Sequence, residues 1–440
     1  MSLTKYDKYK DSGIEWLGEI PNHWTFSRIK NIGSVNGRVG WKALKASEYV
    51  DSGYFFLATP NIKGRNIDYT NVNYITYERF IESPEIILRE NDILLTKDGS
   101  TLGTLNIVKN IPGSGTVNSS IAVLRFKRAI NTDFVYFLIV SEYLQNVITQ
   151  KKDGMGVPHL FQKDINNFLL LIPSLYEQTT IASYLKLKTF AIDHKVTLLE
   201  QKIIHYQQLR KSLINETVCR GLDKRVKLKD SGIEWIGMIP EHWEVKRLKD
   251  LAKIISGYAF DSNEYIDNGI NIIRIGDIVD NIDYAQTRKV HQKYLVLAKE
   301  CIINKGDILI AMTGATIGKS SIYDSNVTAI LNQRVGSIRV LNSFNPTLLR
   351  QIISSAIFQD YISIICGGSA QENIGKSQLE KFPIQYPPIS EQTTIATYLY
   401  AKTQKIDSIV FNIKSQIEAL KELRKTLIND VVTGKIKVTD

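Results

Sequence analysis

The sequence predicts an α+β protein: two mixed α/β domains separated by two long helices packed as an antiparallel coiled coil, arranged as an internal repeat with approximate two-fold symmetry. Three observations lead there. The chain opens two halves with nearly the same words, DSGIEWLGEIPNHW from Asp11 and DSGIEWIGMIPEHW from Asp230. Within each half, short β-branched and aromatic runs are separated by Gly, Asn and Asp, the pattern of strands between turns. Each half then closes on a long run free of Gly and Pro that ends at Gly221 or Gly434, which is the pattern of an extended helix.

The repeat is carried by several echoes in the same order. NDILLTKDGSTLG from Asn91 pairs with GDILIAMTGATIG from Gly306, and EQTTIASYL from Glu177 pairs with EQTTIATYL from Glu391. The separation between copies is far above that of solenoid repeats, so each copy is a whole domain with an appendage. The resulting division is a first globular domain over 1–173, a first helix over 174–222, a second globular domain over 223–387 and a second helix over 388–440. Strands are expected in GYFFLATPNIKG from Gly53 and GINIIRIGDIVD from Gly269. Helical stretches are expected from Thr132 and, matching it, from Asn345.

The long helices carry a stripe. Ile192, Val196, Leu199, Ile203, Tyr206, Arg210, Leu213 and Thr217 in the first correspond to Ile406, Val410, Ile413, Ile417, Leu420, Arg424, Leu427 and Val431 in the second. Both lists step by alternating fours and threes, the seam of a coiled coil. A helix of this length would overhang a single domain of this size, so pairing between the repeats accounts for the stripe better than packing on the surface of its own domain. An antiparallel pair would set the two globular parts at opposite ends of a shared rod.

Composition narrows the function. The 440 residues are 43% hydrophobic, enough for a core in each repeat, and 55 basic against 45 acidic residues give a net charge of +10, which favours an anionic partner. The 3 cysteines, Cys219, Cys301 and Cys366, fit neither a disulfide framework nor a metal pair, and no run is long enough to cross a membrane. The expected location is the cytoplasm.

Catalytic patterns fail one by one. GATIGKS from Gly314 has one residue too few for a phosphate-binding loop, and its copy GSTLGTL from Gly99 lacks the lysine. The lone Pro-Pro, Pro387-Pro388, has the wrong neighbours for an amino-methyltransferase. Glu244-Val245-Lys246 resembles the end of a nuclease motif, but its first-copy equivalents are Thr25, Phe26 and Ser27. His23 and His242 are repeat equivalents beside tryptophans, a packing position. No catalytic residues and no metal site are therefore assigned, and no cofactor is expected on this chain.

The copies agree in the lead-in, the DIL strand with its turn, and the helix; they disagree across Asn36 to Glu90 and Gly257 to Lys305. This is the pattern of one scaffold bearing two recognition surfaces. The variable parts hold residue types that read DNA: Asn36, Arg38, Trp41, Lys42, Lys45, Asn61, Lys63 and Arg65 in the first copy, and Tyr258, Asn271, Arg274, Arg288, Lys289, Gln292 and Lys293 in the second. Arg and Lys pair with guanine edges or phosphates, and Asn and Gln pair with adenine edges.

On the twin lead-ins, the NDILL and GDILI turns, Asn332-Gln333, and the EQTTIA helices ending in LRKSLIN and LRKTLIN, the chain resembles the DNA-specificity subunit of type I restriction-modification systems. The resemblance covers essentially the whole chain and implies two target-recognition domains, each reading one half of a split DNA target. It implies helices that fix the gap between halves and dock two methyltransferase subunits, with two ATP-dependent restriction subunits in a larger complex. S-adenosylmethionine, ATP and Mg are then expected on the partner subunits. The rival readings are a coiled-coil scaffold without sequence-specific DNA binding and a stand-alone methyltransferase or nuclease. One departure is Asn118-Ser119 in the first copy where the second has Asn332-Gln333.

The seam from Ile192 to Thr217 spans about 26 residues, roughly 39 Å of helix, close to one turn of B-DNA at about 34 Å. Removing one heptad from both helices is expected to shorten or destroy the gap in the DNA target, read by mapping the methylated motif; an unchanged motif would sink the ruler.

Overall fold

Alternation along the DIL strands dictates how each half is layered. The structure, a computed structural model, describes residues 2–38, 44–64, 66–151, 158–279, 282–366 and 373–439. Its packing forms two units, Met1–Leu199 with Ser415–Asp440, and Glu200–Lys414. In unit 1, Ile93–Thr96 is buried along its whole length: Ile93 and Leu95 enter one core, and Leu94 enters another on the opposite face. In unit 2, Ile308 and Ile310 face one core while Leu309 and Ala311 face the other. A strand covered on both faces needs a continuous apolar run, which is why the motif shows no polar alternation.

Around that strand the two units build the same sheets. In unit 1 an antiparallel sheet runs in the order Gly33–Gly37, Ile121–Phe126, Ile93–Thr96, Leu105–Ile107, with Ile121 opposite Thr96 and Leu124 opposite Ile93. In unit 2 the order is Ala252–Ser256, Val335–Val340, Ile308–Ala311, Ser320–Ile322, with Ile338 opposite Ile308. One face of each is covered by helices. The other is covered by a three-stranded sheet: Gly115–Val117 parallel to Tyr54–Leu57, with Asn73–Ile75 antiparallel at the edge, and in unit 2 Ala329–Leu331, Ile270–Ile273 and Arg288–Val290 in the same arrangement. The parts in which the copies differ thus supply two of the three strands of each outer sheet, with their loops, on a shared inner frame.

An ion pair between a buried aspartate and a half-buried arginine locks the inner sheet to the segment before it. Arg125 grips Asp92 with Nε to Oδ1 at 2.8 Å and Nη2 to Oδ2 at 2.9 Å, and donates to the carbonyls of Glu85 and Ile87. Arg339 and Asp307 repeat the fork at 2.9 and 2.7 Å, with a further donation to the Ile302 carbonyl. The aspartate of each DIL motif, itself buried, therefore serves structure, and removing it would leave a half-buried guanidinium without its carboxylate.

The helical stretch expected from Thr132 is two helices, Thr132–Val140 and Glu142–Gln150, broken at Ser141, whose backbone is extended and whose hydroxyl donates to the Leu138 carbonyl. The matching stretch is Pro346–Ile353 and Ala356–Cys366, with Ser355 donating to the Ile352 carbonyl. Serine competes with the helix backbone for hydrogen bonds, and a side chain from a long helix completes the break. Asn429 accepts from the Tyr143 amide at 3.3 Å and Asn215 from the Ala356 amide at 2.9 Å, which explains the final Asn of both LRK(S/T)LIN segments.

The long helices run Leu175–Arg220 and Ile389–Val432, each shared between both units. Packing therefore groups the chain by cuts within both helices, whereas the four-part sequence division has its borders at helix ends. Every seam position is buried or half-buried, including Ile192, Val196, Leu199, Ile203, Tyr206, Leu213, Ile406, Val410, Ile413, Ile417, Leu420 and Leu427. Direction is fixed by ion pairs between the helices: Asp193 with Arg424 at 2.9 Å in unit 1, and Arg210 with Asp407 at 3.1 Å in unit 2. As one helix is followed forward its partners fall backward, so the packing is antiparallel. Among the described residues no helix is long and apolar enough to cross a membrane.

The lead-ins anchor these helices. Trp24 and Trp243 are 0% exposed. In unit 1, His23 Nε2 lies 3.0 Å from Glu177 Oε1 and Trp24 Nε1 donates to the same carboxylate at 3.4 Å. In unit 2, His242 and Trp243 hold Glu391 at 2.6 and 3.0 Å. The neighbouring glutamine ties the helix start to the rest of the unit. Gln178 donates to the Pro173 carbonyl at 3.0 Å and accepts from the Asn131 amide at 2.8 Å, while Gln392 does the same with Pro387 and Asn345 at 2.9 and 2.8 Å.

The opposite end of the other long helix meets the same tryptophan. Gly434, at φ +77°, ends the second helix against Pro21 and Trp24, and Gly221, at φ +68°, ends the first against Trp243. A Cβ there would sit 2.3 Å from Pro21 Cδ or 3.1 Å from Trp243 Cζ2, so both the left-handed backbone and the close approach call for glycine.

Burial disfavours the charged form of Glu177, but hydrogen bonds from His23, Ser174 and Trp24 outweigh it and hold the carboxyl below the usual carboxylate range. A depressed folded-state value stabilises the fold above the ordinary carboxylate value of about 4.3, and that contribution disappears as pH falls through the folded value. Glu177→Gln is therefore expected to cost about 1–3 kcal/mol at pH 7. Urea unfolding should show this difference narrowing as the pH is lowered below about 4.

Candidate nucleic-acid interface

The variable outer sheets place the sequence-selected residues in three groups. The first is buried. The Arg38 side chain is 0% exposed, lies 3.9 Å from Glu82 and has its guanidinium carbon 5.9 Å from the Phe56 ring centroid. Burial, followed by the nearby Arg79 charge, pushes its guanidinium below the ordinary arginine value. Asn61 is also buried. Its carboxamide accepts from the Ala58 amide at 2.8 Å and donates to the carbonyls of Asp68 and Asn71 at 3.3 and 2.8 Å, so its polar atoms hold a loop together. In this conformation neither residue presents its polar group to a partner.

The second group is half-buried and tied to neighbours. Asn36, on Gly33–Gly37, donates to Ser34 Oγ at 3.3 Å. Tyr258 packs against Phe260 at a tilt and against Tyr294 edge to face, with ring centroids at 5.1 and 5.6 Å. Asn271 accepts from Thr287 Oγ1 at 2.8 Å, Lys289 donates to the Asp267 carbonyl at 3.3 Å, and Arg274 Nε donates to Asp277 at 3.4 Å. The third group is exposed: Lys45, Lys63, Arg288, Gln292 and Lys293, of which Lys293 pairs with Glu264 at 2.9 Å. Trp41, Lys42 and Arg65 lie outside the described residues.

The Asn-Gln departure divides into a scaffold half and a surface half. Asn118 Oδ1 accepts from the Ser120 amide at 3.2 Å and Asn332 Oδ1 from the Arg334 amide at 3.3 Å, closing the same turn in both units. The following residues, Ser119-Ser120 and Gln333-Arg334, are the ones that differ. In unit 2 they line an open groove of about 450 Å³ with Arg274 and the rings of Phe260 and Tyr265. Of the candidate DNA contacts selected from the sequence Arg274 lines it, as does the Asn332-Gln333 pair noted as a departure between the copies; Phe260, Tyr265 and Arg334 were missed. Setting the copies side by side beyond the Asn would have flagged Arg334, since serine stands opposite it.

The loop of GATIGKS is a turn. Gly314–Thr316 connects Ile308–Ala311 to Ser320–Ile322, and Gly99–Thr101 makes the same connection in unit 1. A phosphate-binding loop opens into a helix, whereas this one returns to the sheet.

With the frame built twice, comparison with known proteins decides the family. Residues 21–204 and 240–419 each match the family described as "Type I restriction modification DNA specificity domain". The chain belongs to this family. The specificity subunit of the type I restriction enzyme MjaVIII from Methanocaldococcus jannaschii is 26% identical over 100% of this chain and 98% of its own length. The EcoKI specificity subunit of Escherichia coli K12 is 19% identical over 95% of this chain and 90% of its own. Among solved structures, a chain from work described as "Structural basis underlying complex assembly and conformational transition of the type I R-M system" aligns with a TM-score of 0.72 at 17% identity, covering 94% of this chain and 98% of that one. The HsdS subunit from Thermoanaerobacter tengcongensis aligns with a TM-score of 0.52 at 17% identity, covering 96% and 99%. These likenesses establish the specificity-subunit fold.

Asn61→Ala is expected to destabilise unit 1 by about 1–3 kcal/mol because three loop hydrogen bonds go with it. Lys63→Ala should stay within about 0.5 kcal/mol of the parent. Thermal unfolding of both variants would separate the loop-building residue from the surface one.

Proposed function

We propose that this chain is the sequence-specific DNA-binding specificity subunit of a type I restriction-modification complex, without a catalytic site of its own. Each unit reads one half of an asymmetric bipartite target. The long helices set the spacer between the halves and dock two methyltransferase subunits, directing adenine methylation and, with ATP-dependent restriction subunits, cleavage. S-adenosylmethionine, ATP and Mg act on those partners. The observation that carries this reading is the double match to the specificity-domain family on two frames that agree strand for strand, while their outer loops carry different side chains.

The chemistry of the surface supports it. A net charge of +10 supplies cations for phosphates, and the exposed Lys45, Lys63 and Arg288 are placed on the outer layers. An asymmetric target follows from unequal surfaces, since two identical readers would select a palindrome.

Co-expression with the cognate methyltransferase in a host lacking DNA methylation, followed by single-molecule mapping of modified adenines, tests the assignment. A split, asymmetric motif that vanishes without this chain is the expected result. No motif from a confirmed soluble complex would favour the coiled-coil scaffold instead, and DNA modification by the chain alone would favour an enzyme. Affinity for the mapped site should fall steeply with salt, as counterion release requires.

A further inference from the structure

The groove in unit 2 lies where two parallel strands, Ile270–Ile273 and Ala329–Leu331, reach their carboxyl ends. Arg274 and Asn332 are the first residues beyond those ends, and parallel strands that end side by side open a crevice of the kind in which ligands bind. The turn is firmly held. The Asn332 amide donates to the Ile273 carbonyl at 3.0 Å, the Gln333 amide to the Tyr258 carbonyl at 2.8 Å, and the Arg274 amide to Asp277 at 2.9 Å. On this rigid support Gln333 and Arg334 are exposed, and among the described residues neither side chain has an ion-pair or hydrogen-bond partner.

Unit 1 supplies the control. The Asn118 amide donates to the Leu57 carbonyl at 2.9 Å and the Ala58 amide to Asn61 at 2.8 Å, repeating two of the three closures. Yet the positions of Arg274, Gln333 and Arg334 are occupied by Ala58, Ser119 and Ser120. The frame is kept and the reach is taken away, so the long side chains of unit 2 are not needed to build the turn.

A guanidinium fork beside a carboxamide suits purine edges in the major groove: arginine pairs with guanine O6 and N7, glutamine with adenine N6 and N7. A rigid turn places such contacts better than a flexible loop. We propose that Gln333 and Arg334 read adjacent purines in the half of the target assigned to unit 2, with Arg274, held by Asp277, placing a second guanidinium in the same groove. The proposal rests on the DNA-specificity function above and names the site at which unit 2 exercises it.

The test is the double variant Gln333→Ser, Arg334→Ser, which installs the turn that unit 1 already folds. In the co-expressed methyltransferase complex, the mapped motif should relax at one or two neighbouring positions of one half while the other half stays intact. Affinity for the parent site should fall about ten- to a hundred-fold or more, as expected for lost bidentate base contacts. Arg334→Lys keeps the charge but not the fork and should relax the guanine position likewise. An unchanged motif in the double variant, a change confined to other positions, or a uniform affinity loss with the salt slope lowered by about 1 and the motif intact would overturn the proposal, the last by assigning a phosphate contact. Failure of the broader function is distinguishable, because then the parent complex itself yields no split motif.

Discussion

The clamp of histidine and tryptophan on the first-turn glutamate of each long helix is the contact on which the two units depend. It joins the lead-in to the helix start, and the next residue, Gln178 or Gln392, joins that start to the cap of a short helix at Asn131 or Asn345. The lead-in, the long helix and the short helix are thereby joined through a dipeptide. A carboxylate at a helix N-terminus also meets the positive end of the helix dipole, so the placement is favourable before any side chain closes on it. The buried indole then receives the glycine that ends the other long helix. Each tryptophan is consequently a junction between one helix beginning and another ending.

Rigidity here leaves the outer layer free to vary. The inner sheet is pinned by Arg125 on Asp92 and by Arg339 on Asp307, and both of its faces are covered. Loops beyond the outer sheet are held by single backbone-directed side chains such as Asn118 and Asn332, which leave neighbouring positions unconstrained. A change of Ser119 to Gln333, or of Ser120 to Arg334, alters what the surface offers without touching the turn. Separating the residues that hold a loop from those that face outward is what allows one frame to carry two surfaces.

The sequence made the frame legible because its signals are periodic or repeated. The seam showed itself through heptad spacing, the DIL strand through an unbroken apolar run, and the helix ends through Gly221 and Gly434. The breaks at Ser141 and Ser355 were not legible, since they depend on Asn429 and Asn215 arriving from distant helices. The interface was only partly legible for a related reason. Residue type told which side chains are capable of reading DNA, but burial of Arg38 and Asn61 is decided by tertiary packing, and the groove holding Arg334 is assembled from three separate segments.

The nesting of the units has a consequence for how the chain is made. Unit 2 is one continuous stretch, Glu200–Lys414, whereas unit 1 is interrupted by it and completed by Ser415–Asp440. As a ribosome delivers the polypeptide in order, Gly221 is already present when Trp243 emerges, but Trp24 must wait for Gly434, and the first core must wait for Ile428, Val431 and Val432. The half translated first is therefore the half that matures last. During that interval its unfinished apolar surface is exposed to association with other chains, the hazard common to domains whose closing segment is remote in sequence.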